Sequence, residues 1–262
     1  MILHSDRWLP GDLESWLDNE RFDAAFCQLS EMEHNDRQAL RYLREFAERP
    51  GGGYLGVSWG KDSVVAAHLL VRSGLKMPVV WIKIWPLYNP DCERVRDAFL
   101  RDHDIDYHEI AVEWHPDQVQ VWRDLYESGS MASAGYSPIE SAGVQGFKEA
   151  ARRFGARHVS GVRGEESGVR RIRMNRWGAM SKNTCAPIGY WSSQHVYAYL
   201  HKHGLPVHPA YAMTMGGVLD RKQLRVDALG GGMGRQRAEW EGMYYADRVA
   251  EIGRIAKEIL SA

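Results

Sequence analysis

The sequence predicts an α/β fold: a doubly wound, mainly parallel sheet with a helical extension before it and a helical segment after it. Two observations lead there. Short apolar runs alternate with amphipathic helical stretches from Tyr54 onward. Such alternation is the pattern of βαβ units, whose ligands gather at the carboxyl ends of the strands. At 262 residues and 44% hydrophobic content, the chain is long enough for one large core.

The elements follow in order. Residues 11–48 carry apolar side chains at helical spacing (Leu13, Trp16, Leu17, Phe22 and Phe26, then Leu40, Leu43, Phe46 and Ala47), which predicts two helices. Pro50 and Gly51 to Gly53 stop the second. The runs "YLGVSW", "PVVWIKIW", "DYHEIAVEW" and "ARHVSGVR" read as strands. Helices are predicted between them at about 62–73, 91–103, 116–127 and 138–154. After Arg163 the regularity fades into a polar, Arg-rich stretch. "SSQHVYAYLHKHG" then reads as a helix capped by Ser192 and stopped at Gly204. The Gly-rich "ALGGGMGRQ" precedes one terminal helix, "EWEGMYYADRVAEIGRIAKEIL". The organisation expected is an extension at 1–50, a central domain at 51–211 and a C-terminal Gly-rich loop and helix at 212–262.

Composition narrows the function classes. A formal net charge of −1 gives no global field toward nucleic acid or membrane, so any anion site must be local. Cys27, Cys92 and Cys185 are odd in number and widely spaced, which argues against a disulfide framework and for a reducing compartment. With no CxxC, neither a structural zinc nor an iron–sulfur cluster held by this chain alone is expected. The N-terminus lacks a signal peptide's apolar core and no run reaches transmembrane length, so a cytoplasmic protein with no membrane partner is expected.

The chemistry concentrates at "SWGKDS", between the first strand and its helix. Gly60 permits a tight turn that aims backbone N–H groups at one point, and the helix adds its unpaired amides and positive dipole end. Ser58 and Ser63 offer hydroxyls, Lys61 a cation, and Asp62 a carboxylate that orients the loop or a metal. Two readings stay open on these residues alone: an ordinary capped turn, or a cradle for a phosphate chain. It is not a Walker A loop, because the G-x-x-x-x-G-K frame is missing. Downstream, "GVRGEESGVRR" places Arg163 and Arg170 around Glu165 and Glu166 at a strand end. Arginine forks match phosphate oxygens, and either carboxylate can fix an arginine or hold Mg²⁺. Arg171, Arg173, Arg176 and Lys182 extend the positive charge. A solvated loop of charge pairs is the plainer alternative.

These residues also carry a family resemblance. Ser58, Trp59, Gly60, Lys61, Asp62 and Ser63 closely resemble the SGGKDS loop of the PP-loop ATP pyrophosphatases, or adenine nucleotide alpha hydrolases, with Trp59 in place of the first glycine. Gly161, Arg163, Glu166, Ser167 and Arg170 fill the G-x-R-x-x-E-S-x-x-R block of the phosphoadenosine phosphosulfate reductase branch. "CAPIGYWSSQHVYAYLHKHGLPVHPAY" resembles that branch's tryptophan helix and following loop. The likeness covers roughly residues 54–211, and three ordered blocks outweigh any one. It implies a site that binds ATP and Mg²⁺, with Asp62 and Glu166 as metal residues, and cleavage between the α- and β-phosphates to adenylylate a substrate. Lys61 would grip the leaving pyrophosphate, and Arg163 and Arg170 the substrate or the α-phosphate. Trp191, Val196, Tyr197 and Leu200 read as core.

Departures from the pattern sort the branches. Ile84 and Trp85 replace the Asp-Thr pair that ends the family's second strand. No cysteine follows Cys185, where thioredoxin-coupled reductases keep a catalytic one, so a reductase is the lesser alternative. Sulfate and flavin adenylyltransferases remain, as do the ATP pyrophosphatases of DNA phosphorothioation, whose CAPI segment resembles "NTCAPIGYW". That last resemblance favours DNA as acceptor, with a sulfur-donor protein and other subunits as partners. A small oxyanion is the alternative acceptor, and a non-enzymatic nucleotide-binding subunit the outside reading. Cys185 has two readings: a thiolate lowered in pKa by nearby cations that carries sulfur, or a buried small hydrophobe.

Overall fold

The structure, a computed structural model, describes residues 1–128, 140–230 and 235–262. Helices α1 (Asp12–Phe26) and α2 (Ser30–Ala47) come first. Next are β1 (Gly53–Val57), α3 (Lys61–Ser73), β2 (Val79–Trp85), α4 (Asp91–Asp102), β3 (Tyr107–Glu113), α5 (Pro116–Ser128), α6 (Ala142–Phe154) and β4 (Arg157–Ser160). The chain continues through α7 (Gly168–Trp177), β5 (Thr184–Cys185), α8 (Ser193–Lys202), α9 (Arg235–Tyr244) and α10 (Ala246–Ser261). Short 3-10 turns lie at Gly164–Glu166, Pro209–Ala212 and Arg221–Gln223.

The five strands form one sheet in the order β3-β2-β1-β4-β5, and every pair is parallel. The doubly wound fold expected from the alternation is therefore present. Side chains alternate as a strand demands. Leu55, Val57, Val79 and Trp81 join the larger core with α3, while Tyr54, Val80, Ile110 and Val112 join Ala142 and Ala150 of α6 on the opposite face. Chain order reverses between β1 and β4, so their carboxyl ends splay apart and open the crevice where such sheets bind ligands.

Three elements depart from expectation. The Arg-rich stretch after Arg163 forms α7, capped by Ser167 Oγ, which accepts from the Arg170 amide, and ended at Gly178 with φ 76°. Of its side chains only Met174 is buried, so no apolar stripe announced it. A short fifth strand, β5, pairs His158 with Thr184 and Val159 with Cys185. The terminal helix breaks at Tyr245, because two consecutive tyrosines are anchored on different partners. Tyr244 Oη bonds Asp12 Oδ1 at 3.2 Å and Tyr245 Oη bonds Asp91 Oδ2 at 2.9 Å. Helix α6 starts at Ala142 behind its Ser141 cap. Positions 138 and 139 of the predicted helix lie outside the described residues, as do 231–234 of the Gly-rich run. No helix among the described residues is long and apolar enough to cross a membrane.

One feature of the core predicts pH behaviour. His68 of α3 is buried, bonds Tyr199 Oη at 2.9 Å through Nδ1, and lies 4.8 and 5.3 Å from the rings of His203 and His103. Burial, then the two neighbouring imidazoles and Arg72, push its pKa down to about 3. Burial likewise pushes His208 down to about 4. Both groups fold neutral, whereas the unfolded chain takes up protons below the ordinary imidazole value of about 6.5. Stability is therefore full above that value and falls as pH drops toward 4 and 3. The thermal midpoint should decline between pH 7 and pH 5, and less steeply in His68→Gln. Equal slopes in both proteins would contradict this role for His68.

Candidate functional site

The crevice at the β1/β4 divergence is a cleft of about 850 Å³. Residues 58 and 60–63 form its floor and 160–166 one side, while Ile82, Ile84 and Phe147 make an apolar end. The two loops touch: a Cβ on Gly161 would stand 2.7 Å from the Asp62 carbonyl oxygen. Only glycine allows that approach, which fixes the Arg163 segment against the start of α3.

The turn itself is built differently from the expectation. Gly60 has φ −78° and ψ 168°, open to any residue, and the left-handed residue is Trp59 with φ 60°. That conformation costs a non-glycine residue about 1–2 kcal/mol. It is held by the fully buried indole, 5.6 Å from the rings of both Phe99 and Tyr107. Trp59 therefore shapes the loop from below and its side chain does not line the cleft. Space is tight at Gly60, where a Cβ would lie 3.2 Å from Tyr211 Oη. Ser63 braces the loop: its hydroxyl donates to Gly60 O at 3.0 Å and accepts from the Ser58 amide at 3.2 Å.

Helix α3 has no side-chain cap. First-turn amides have no intrahelical acceptor, and here Tyr211 Oη takes that of Lys61 at 3.1 Å. The rest of the turn faces the cleft with the positive end of the helix dipole behind it. Lys61 is 5% exposed, and its ammonium donates to Asp62 Oδ2 at 2.9 Å with the Tyr211 ring 5.2 Å away. Asp62 Oδ1 accepts from Arg163 Nε at 2.6 Å.

Arg163 is 1% exposed, and its fork is engaged within the protein. Nη1 donates to Glu165 Oε2 at 2.7 Å and to the Trp191 carbonyl at 3.2 Å, and Nη2 donates to Ser193 Oγ at 3.1 Å. Burial opposes its charge, but Asp62, Glu165 and Glu166 together raise its pKa. Glu165 also accepts from the Ser193 hydroxyl at 2.8 Å and amide. Burial works against the Glu165 charge, and Ser193 and Arg163 outweigh it, holding the carboxyl below its ordinary value. Arg163 thus ties the two loops and the start of α8 together. Its expected bidentate grip on a substrate is corrected, because each of its nitrogens already has a protein acceptor. Glu166 accepts from the Arg163 amide at 3.0 Å and pairs with Arg170, whose half-exposed side chain lines the cleft mouth. Ser167 faces α7 as its cap.

Cys185 lies elsewhere. It sits on β5, 1% exposed, with its Sγ 3.8 Å from the Tyr42 carbonyl, and does not line the cleft. Of the two readings of Cys185, this placement favours the buried small hydrophobe: burial pushes its pKa up to about 12, outweighing the opposing pull of Arg49 and Arg157. Iodoacetamide at pH 8 should leave Cys185 unmodified in the folded protein and label it on denaturation, which mass spectrometry of tryptic peptides would read. Rapid labelling of the native protein would contradict this placement.

A third lining segment is not apparent from the sequence. Residues 220 and 222–227, past the boundary drawn at 211, line the cleft, Lys222 and Arg225 among them. Both are exposed and neither has an ion-pair partner among the described residues. The available signal was two cations beside a loop of unassigned structure, which alone says nothing of direction. Tyr211, Ser193 and His158 were also missed. Burial, and then nearby Arg173, hold the His158 imidazole below its ordinary pKa. As for a metal, the described residues contain no group of three ligating side chains. Asp62 and Glu166 retain carboxylate lone pairs beyond the bonds above, which suits Mg²⁺, a cation that keeps water and takes phosphate oxygens.

A profile of the phosphoadenosine phosphosulfate reductase domain matches residues 54–218. The phosphoadenosine 5'-phosphosulfate reductase of Erwinia tasmaniensis is 27% identical over 180 residues, which span 65% of this chain and 70% of that protein. The Yersinia enterocolitica enzyme of the same name is 26% identical over 168 residues, 62% of this chain and 66% of its own length. Among solved structures, the phosphoadenylyl-sulfate reductase of Candida auris aligns with a TM-score of 0.44 and 13% identity, covering 69% of this chain and 89% of that one. The NMN synthetase of Francisella tularensis aligns with a TM-score of 0.44 and 12% identity, covering 87% and 95%.

Proposed function

The chain belongs to the phosphoadenosine phosphosulfate reductase domain family, and on that premise we propose that it is an ATP pyrophosphatase that adenylylates an oxyanion acceptor. The acceptor oxygen attacks the α-phosphorus, the α–β P–O bond breaks, and pyrophosphate leaves. The observation that carries this reading is the Lys61–Asp62 pair at the uncapped start of α3, at the switch point of the sheet. The first-turn amides and Lys61 would stabilise the leaving pyrophosphate, with Lys222 and Arg225 lining the same cleft. Asp62 and Glu166 would hold Mg²⁺, which supplies charge neutralisation on the phosphates. Arg163 keeps Asp62 and Glu165 in position, and Arg170 at the mouth would meet the acceptor. Catalysis of this kind is mostly positioning and charge stabilisation.

For the acceptor we propose a phosphodiester of DNA, in sulfur modification, ahead of sulfate or a flavin. A second reading, reduction of a sulfonucleotide, is favoured by the named relatives. Against it, none of the three cysteines lines the cleft. Pyrophosphate release from ATP and Mg²⁺, measured alone and with DNA, sulfate or FMN, tests the proposal. Release that rises with DNA is the expected result. No release with any acceptor would reject adenylyl transfer.

A further inference from the structure

Charge is unevenly distributed along this nearly neutral chain. Between positions 167 and 219 there is no Asp or Glu, while Arg170, Arg171, Arg173, Arg176, Lys182 and Lys202 fall in that span. Most of these cations sit on or just after α7. Arg171, Arg173, Arg176 and Lys182 are exposed and make no ion pair among the described residues. Ordinary solvated helix faces interleave opposite charges, and this one does not. Large apolar side chains stand among the arginines: Val169, Ile172 and Trp177 are 79%, 66% and 60% exposed. The Arg176 guanidinium lies 4.7 Å over the Trp177 ring.

The helix also points at the cleft. Arg170, Arg173 and Trp177 follow at spacings of three and four, hence on one face. Seven residues of helix make a stripe of about 10 Å, and Arg170 ends it at the cleft mouth. Arg173 is near enough to His158, a cleft residue, to lower its pKa. Half-exposed Phe147 lines the same cleft, its ring 6.2 Å from that of His158. Unpaired arginines leading past exposed aromatic rings match a polyanion that also offers flat faces. An acidic peptide offers the charge but no rings to stack. Duplex DNA hides its base faces, and a single strand presents both.

We propose that the outer face of α7 is the docking track for a single-stranded nucleic acid. On that face Arg173 and Arg176 hold phosphates, with Arg171 and Lys182 adding positive charge beside it; Trp177 and Phe147 stack bases, and the strand reaches the cleft past Arg170. The inference rests on the reading of DNA as acceptor and gives it a place and a strand form.

Fluorescence anisotropy with a labelled 20-nucleotide single strand, in nucleotide-free protein, tests it. The strand should bind with a log–log salt slope of about −3, from four cations at roughly −0.7 each. Arg171→Glu/Arg173→Glu/Arg176→Glu should weaken binding at least about tenfold at low salt. Trp177→Ala should weaken it by roughly 5- to 150-fold. The triple variant should keep the wild-type rate of pyrophosphate release from ATP alone and the wild-type thermal midpoint. Failure of the wild type to bind the strand overturns the proposal, as does tighter binding of a duplex or equal competition by polyglutamate. Strand binding without pyrophosphate release would leave the docking track standing and reject the adenylylation reading instead.

Discussion

Lys61→Met is expected to lower pyrophosphate release from ATP by on the order of 10²–10³-fold, the loss usual when one preorganised charge or donor is removed from a developing anion. Methionine fills nearly the same buried volume, so packing against Tyr211 survives while the ammonium is lost. Asp62 keeps Arg163 as a partner through its other oxygen, at 2.6 Å. No carboxylate is therefore left uncompensated, and the thermal midpoint should change little. Parallel measurement of turnover and midpoint separates a phosphate ligand from a structural lysine. Turnover within about twofold of wild type would reject the assignment of this loop to the pyrophosphate. A large fall in midpoint would show that Lys61 serves the fold.

Arg163→Ala should behave in the opposite way, with a large loss of stability. Breaking a buried ion pair by removing one partner costs about 3–5 kcal/mol, and Arg163 joins Asp62, Glu165, Ser193 and the Trp191 carbonyl. For a chain of this length that corresponds to a fall in midpoint of roughly 10 °C. Arg163→Lys keeps the charge but loses the fork, so it should recover only part of the loss. Adding Asp62→Asn to Arg163→Ala should be less damaging than the two separate effects summed, because the stranded carboxylate is removed. If Arg163 instead served only the substrate, its variants would raise KM and leave the midpoint unchanged.

The two variants illustrate what could and could not be read beforehand. Both residues stood out as cations beside carboxylates at strand ends, and both were assigned to the ligand. Sequence spacing gives the location of a charge along the chain but not the number of acceptors around it. In the fold Lys61 has one carboxylate partner and lies on the cleft floor, whereas every nitrogen of the Arg163 fork has an acceptor, drawn from Asp62 at the start of α3, neighbouring Glu165, and Trp191 and Ser193 before and at the start of α8. The same limit explains Cys185. Neighbouring cations suggested a lowered pKa, but burial on β5 dominates, and burial is a property of the whole packing arrangement. Trp59 was placed with the ligand because of its position in the loop, while its indole turned inward to pack between Phe99 and Tyr107.

By itself the sequence determined the alternation of strands and helices, the parallel sheet, and the meeting of the loops after β1 and β4. These follow from local periodicity, from turn residues, and from the rule that parallel strands joined by helices expose their carboxyl ends on one edge. The tertiary structure alone decided the rest. It made a helix of the Arg-rich stretch, whose outward apolar side chains hid its periodicity. It brought the segment after Asp220 back to the cleft, so that Lys222 and Arg225 line it together with a loop more than 150 positions earlier. And it divided the cations between those consumed by buried carboxylates and those left open to solvent. That division depends on distances across the folded chain, and no pattern of neighbours along it carries them.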